Sequence, residues 1–159
     1  MGPEFRQFDF WLGEWVVRKP DGTVVGSSKI SRASEGCAVR EEWTSARGQH
    51  GMSISYYDPQ TKRWHQDWVG GDGTILHLQG GLEGGAMELS DPSNRITWTR
   101  LPDGRVRQEW ARSTDRGATW NVSFVGIYER SETTRQAQLS PRVWRSLTSR
   151  YSSSSGQAP

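Results

Sequence analysis

Phe8-Asp9-Phe10-Trp11-Leu12-Gly13-Glu14-Trp15 is the stretch on which the fold turns. Gly13-Glu14-Trp15 reads as the start of a first strand, and the chain beyond it breaks into short strand-length pieces. Turn signals recur at close intervals. They include Pro20-Asp21-Gly22, Ser34-Glu35-Gly36, Ala46-Arg47-Gly48, Asp58-Pro59-Gln60, Gly70-Gly71-Asp72-Gly73, Glu83-Gly84-Gly85, Asp91-Pro92-Ser93-Asn94, Pro102-Asp103-Gly104 and Thr114-Asp115-Arg116-Gly117. Each supplies a glycine for positive φ or a proline with preset φ where the chain must reverse. Between them lie ten segments, about 14–19, 23–31, 36–45, 49–57, 62–69, 74–80, 85–90, 95–101, 105–113 and 119–130. Connections this short leave no room for parallel crossovers, so an antiparallel meander is expected. A meander of this length closes to remove its edges. The expectation is an all-β chain with one barrel of about ten strands over residues 1–130 and at most one short helix before Gly13.

Period-two alternation assigns the faces. Trp64, Gln66 and Trp68 share one side of their segment, as do Val106, Gln108, Trp110 and Arg112. Cys37, Val39, Glu41 and Trp43 form a third such set, and Trp120, Val122, Phe124, Gly126 and Tyr128 a fourth. The aromatic side is expected to point inward. Segment 49–57 stays open, because Met52, Ile54 and Tyr56 compete with Ser53, Ser55 and Tyr57.

The chain has 159 residues, enough for one domain with a sizeable core. Apolar residues make up only 33%, and nine tryptophans offset that deficit, since each buried indole covers a large area. The single cysteine, Cys37, forms no internal disulfide, which points to a reducing, cytoplasmic setting. Glu4, Arg6, Asp9 and Glu14 interrupt the opening residues, so no secretory signal is read there, and no stretch approaches membrane-spanning length. The net charge of +2 belongs to the tail: residues 131–159 carry four arginines against Glu132, leaving residues 1–130 at −1. Without a concentrated basic stripe, neither nucleic acid nor a membrane is an expected partner, and a monomer or homodimer is expected. In the Ser-rich tail, Ser140-Pro141 either starts a short helix presenting Val143, Trp144, Leu147 and Tyr151, or the segment stays unfolded. Residues 152–159 read as disordered.

Gly13-x-Trp15 resembles the calycin and lipocalin signature. The resemblance implies that Trp15 closes one barrel end and that Arg130, from the last strand, covers it through a cation–π contact. Ser113-x-Asp115-x-Gly117-x-Thr119-Trp120 matches the Asp-box hairpin, in which the Asp accepts turn N–H groups, the Gly takes positive φ and the Trp packs beneath. One copy in so short a chain is a structural device, with no implication of glycosidase chemistry. Residues 5–130 are also similar to a family of small bacterial proteins of unknown function. The opening octapeptide, Gly36-Cys37-Ala38, Glu42-Trp43, Tyr57-Asp58, Trp64-x-Gln66-x-Trp68-Val69, Gln108-x-Trp110, Ser113-x-Asp115-x-Gly117-x-x-Trp120 and Phe124-x-Gly126-x-Tyr128-x-Arg130 carry that similarity. It implies a calycin-like barrel around one internal cavity and brings no established activity.

If the aromatic faces point inward, Glu41, Gln66, Arg100, Gln108 and Arg112 do as well. An unpaired polar group in a lumen costs about 1–3 kcal/mol, and a lone charge more. Either Glu41 pairs with Arg100 or Arg112 near a barrel mouth, or a ligand answers these groups. The expected ligand-binding set is Trp43, Trp64, Gln66, Trp68, Trp98, Arg100, Gln108, Trp110 and Arg112, around a small, flat, largely apolar or aromatic molecule. The alternative on the same barrel is a cofactor-free lyase, isomerase or cyclase with Glu41 as general acid or base. A third reading is a protein-interaction module working through the basic tail. His50, His65 and His77 form no metal-ligand spacing, and haem barrels of the nitrobindin type take their axial His near the chain end, where this sequence has none. No metal or cofactor is expected.

Overall fold

The computed structural model describes residues 1–132. The readings made of the tail, including the helix after Ser140-Pro141, lie outside the described residues. Ten strands form one closed antiparallel meander in which each pairs with its sequence neighbours and the last returns to the first. They are β1 (Gly13–Arg18), β2 (Val24–Ala33), β3 (Ala38–Ser45), β4 (His50–Asp58), β5 (Arg63–Gly70), β6 (Ile75–Glu83), β7 (Ala86–Ser90), β8 (Asn94–Arg100), β9 (Val106–Arg112) and β10 (Asn121–Arg130). The architecture is the calycin-like barrel expected, and closure leaves no unpaired edge. No helix among the described residues is long and apolar enough to cross a membrane.

Five of the hairpin turns use one device. Asp21, Asp58, Asp72, Asp91 and Asp103 each accept, through Oδ1, the backbone N–H two residues ahead, at 2.7–3.0 Å. These Asx turns fix where each strand ends. The accepted backbone bond holds the carboxyls of Asp21, Asp58, Asp72 and Asp103 below their ordinary pKa. The Asp-box hairpin adds side-chain bonds. Asp115 accepts from the Thr119 backbone N–H at 2.8 Å and from the Thr119 and Ser113 hydroxyls. Its carboxyl falls to about 2, chiefly through the Thr119 side chain. Gly117 takes φ +89°, and Trp120 packs beside it with Arg95 over its ring at 4.7 Å.

The segment before Gly13 plugs one end of the barrel. It contains two short 3-10 turns, Pro3–Arg6 and Asp9–Trp11, where at most one helix was expected. They place Phe8 and Trp11 inside with no exposed surface. Phe8 stacks on Trp11 at 4.9 Å and meets Trp98 and Trp64 edge-on at 5.2 and 5.7 Å. Trp15 lies beneath, 1% exposed, and its indole N–H donates to the Trp11 carbonyl at 2.9 Å. Arg130 covers Trp15 at 4.3 Å and donates to the Leu12 carbonyl at 3.1 Å, as the resemblance implied. Gly13 cannot be replaced without strain: its φ is +139°, and a Cβ there would collide with the Arg130 guanidinium. An ion pair between Asp9 and Arg32 of β2 ties the plug to the wall.

Three face assignments are settled differently from the alternation, or only by the structure. On β4, Ser53 and Ser55 are buried while Met52 is 45% exposed, because the serines meet polar interior groups of β3 and β5. On β10 the register slips between Val122 and Phe124, so Phe124 and Tyr128 face in while Val122 is 58% exposed and Trp120 packs outside. A bulge of this kind shifts every residue before it to the other side. Cys37 ends a 3-10 turn, Ser34–Gly36, instead of opening β3, and is exposed and free.

Candidate functional site

Among the described residues, nothing fills the other end of the barrel. Strand direction decides which side chains reach it. Odd-numbered strands run from the Trp15 end to the opposite one, and even-numbered strands return. Trp43, Trp68 and Trp110 stand late in β3, β5 and β9, so their indoles cluster at the unfilled end. Together with Phe124 and Tyr128 of β10 and the apolar Leu76 and Ile96, they wall a cavity of about 480 Å³. The wall depends on small neighbours: a Cβ at Gly51 would stand 2.5 Å from the Trp68 ring.

Polar groups enter from the floor and the rim. Glu41 of β3 is 4% exposed, with both carboxyl oxygens occupied. Ser28 of β2 donates to Oε1 at 3.1 Å and Ser53 of β4 to Oε2 at 2.9 Å. Neither Arg100 nor Arg112 pairs with it, contrary to one of the two arrangements the sequence allowed. Burial drives the Glu41 carboxyl up from 4.5 to about 7, with the two serine bonds pulling weakly the other way. Gln66 donates through Nε2 to Ser55 at 3.0 Å, and Gln108 accepts from the Tyr128 hydroxyl through Oε1 at 3.4 Å. Burial, and then Glu41, raise the Tyr128 phenol well above its ordinary value, so it stays protonated. Arg112 lies at the rim, exposed, its guanidinium 4.8 Å above the Trp110 ring.

Of the residues singled out in the sequence, Glu41, Trp43, Gln66, Trp68, Gln108, Trp110 and Arg112 come together on this cavity. Three do not. Trp64 and Trp98 point inward, yet they sit at the plugged end, where they pack on Phe8. Trp64 also donates to Gln7 Oε1 at 3.0 Å. Arg100 ends β8 at the same end, beside Arg130, in a separate polar recess with Arg6 and Asp9. Alternation distinguishes inside from outside but carries no depth, and depth removes these three. Ser28 and Ser53 were missed as partners of Glu41. Ser53 stands directly across from Glu41 in the β3–β4 register, a relation visible once the turn at Ala46-Arg47-Gly48 is counted through.

Fold and site define a class: a closed ten-stranded antiparallel barrel with one end plugged by aromatics and an aromatic cavity over a buried carboxyl at the other. No known family model matches the chain, and no curated protein matches it.

Proposed function

We propose that this barrel binds a small, largely apolar or aromatic molecule in the cavity, as a member of the calycin group. One observation carries the reading: about 480 Å³ of interior space is walled by five aromatic rings and meets a few convergent polar groups. Small-molecule sites have this make-up, with apolar walls for affinity and sparse polar groups for orientation. The Trp15–Arg130 stack at 4.3 Å supports the calycin assignment. The exposed free thiol of Cys37 supports a reducing compartment such as the cytoplasm.

A ligand stacked between Trp68 and Trp110 is expected to quench indole emission. It is also expected to raise stability by about 2.7 kcal/mol at a hundredfold excess over Kd. A screen of planar aromatic compounds by fluorescence and thermal shift checks both, and a screen without a hit counts against the reading. Gln66→Leu removes a hydrogen-bonding group with little change of volume, so it is expected to weaken polar ligands much more than apolar ones. Equal losses for both kinds would place Gln66 outside the contact surface.

The environment of Glu41 favours a second reading, catalysis by proton transfer. A carboxyl near pKa 7, inside an accessible cavity and free of any cationic partner among the described residues, is tuned for general acid or base work at neutral pH. An activity of this kind is expected to follow a single ionisation near pH 7 and to vanish in Glu41→Gln.

A further inference from the structure

Glu41 and Arg112 are the only charged side chains among the described residues that line the cavity, and they stand at different depths. Arg112 is exposed at the rim over Trp110. Glu41 is buried at the floor, held by two hydroxyls and no cation. No histidine faces it: His50 is exposed, His65 stacks on Tyr56 outside the lumen, and His77 pairs with Asp67 on the outer surface. From β10 the facing titratable group is Tyr128, which stays a neutral phenol. Among the described residues, the deep part of the cavity therefore offers a carboxyl, two amides and the faces of aromatic rings, with no fixed positive charge. Aromatic faces carry negative potential and attract cations.

We infer that the ligand is an organic cation, a protonated amine on an apolar or aromatic body, seated with its ammonium group toward Glu41 and its body among Trp43, Trp68 and Trp110. The inference rests on the ligand-binding reading above and names the class of molecule within it. The hydrogen-bond inventory agrees. Gln66 gives one of its two Nε2 hydrogens to Ser55, and its Oε1 remains available as an acceptor. An ammonium group has three donors and no acceptor, so the carboxylate and the Gln66 oxygen suit it. Gln108 accepts from Tyr128 through Oε1, and its Nε2 is available to donate to an oxygen elsewhere on the ligand.

An ammonium ion selects the ionised form of Glu41, and binding then expels the proton that burial retains. For a carboxyl at about 7, affinity for an amine is expected to rise about tenfold between pH 6 and pH 8. A neutral ligand that accepts the Glu41 proton gives the reverse trend.

The experiment measures Kd by tryptophan quenching for three matched probes: phenethylamine, its neutral isostere propylbenzene, and phenylpropionate. The expected result is phenethylamine tightest at pH 8 by at least tenfold, with the stated pH trend in the wild-type protein. Glu41→Gln is expected to abolish both the preference and the trend while propylbenzene still binds. Propylbenzene binding as tightly as the amine overturns the inference and leaves the ligand-binding reading standing. Phenylpropionate binding tightest also overturns it, and assigns recognition to Arg112. Binding by none of the three overturns the inference and counts against the binding reading as well. The wild-type pH trend needs no variant, so the test survives a substitution that fails to fold.

Discussion

Trp15→Ala is expected to destabilise the barrel by about 3–5 kcal/mol, the range of large aromatic truncations in cores. The indole is 1% exposed and carries three kinds of contact at once. Its N–H bonds to the Trp11 carbonyl at 2.9 Å, its edge meets Tyr128 at 6.1 Å, and its face holds Arg130 at 4.3 Å. Removing it orphans a buried carbonyl and opens a cavity beneath Phe8 and Trp11, so the plug loses its seat. For a domain of this size the melting temperature should fall by on the order of 10 °C. Arg130→Ala should cost less, because the exposed side of the stack is worth only about 0.5–2 kcal/mol. Thermal denaturation followed by circular dichroism measures both. A Trp15→Ala protein melting at the wild-type temperature would show that the plug is held from elsewhere.

The barrel was legible because its signals are local. Asp-Gly and Asp-Pro pairs mark hairpins wherever they fall, and the structure shows each such Asp capping its own turn. Alternation then separated Trp64, Gln66 and Trp68 from Arg63, His65 and Asp67 correctly. The reading failed, or stayed open, where a face or a depth depends on more than parity. At β10 a register slip before Phe124 turned Trp120 and Val122 outward, and nothing in the alternation announces a bulge. On β4 two polar residues won the interior over Met52 and Ile54, since Glu41 and Gln66 each needed a hydroxyl across the sheet. A buried acid or amide selects its neighbour's polarity, so the strand could be assigned only together with its partners. Depth was recoverable in principle: once Trp15 marks one end, strand direction places Trp64, Trp98 and Arg100 near it and Trp43, Trp68 and Trp110 far from it.

Glu41→Gln is expected to make the protein more stable at pH 8, by about 2–3 kcal/mol. The carboxyl titrates at about 7 in the fold, raised by burial from 4.5. Between those values the folded protein holds a proton that the unfolded chain has released, so stability falls as pH climbs through the window and levels off above it. The total loss is on the order of 3 kcal/mol for a shift of this size. Gln keeps the shape and stays neutral, and the Ser28 and Ser53 hydroxyls can accept as readily as they donate. Wild type and variant should therefore match near pH 4.5 and diverge up to pH 8, where the variant should melt on the order of 5–10 °C higher. The turn aspartates, with pKa values lowered by their backbone bonds, change stability in the opposite sense and only below the window, so they leave the comparison clean. A variant less stable than wild type at pH 8 would mean that the ionised carboxylate is well solvated in the cavity. The expected result means instead that the barrel carries a carboxyl that weakens it at neutral pH. Stability cannot account for such a group, and binding or proton transfer in the cavity can.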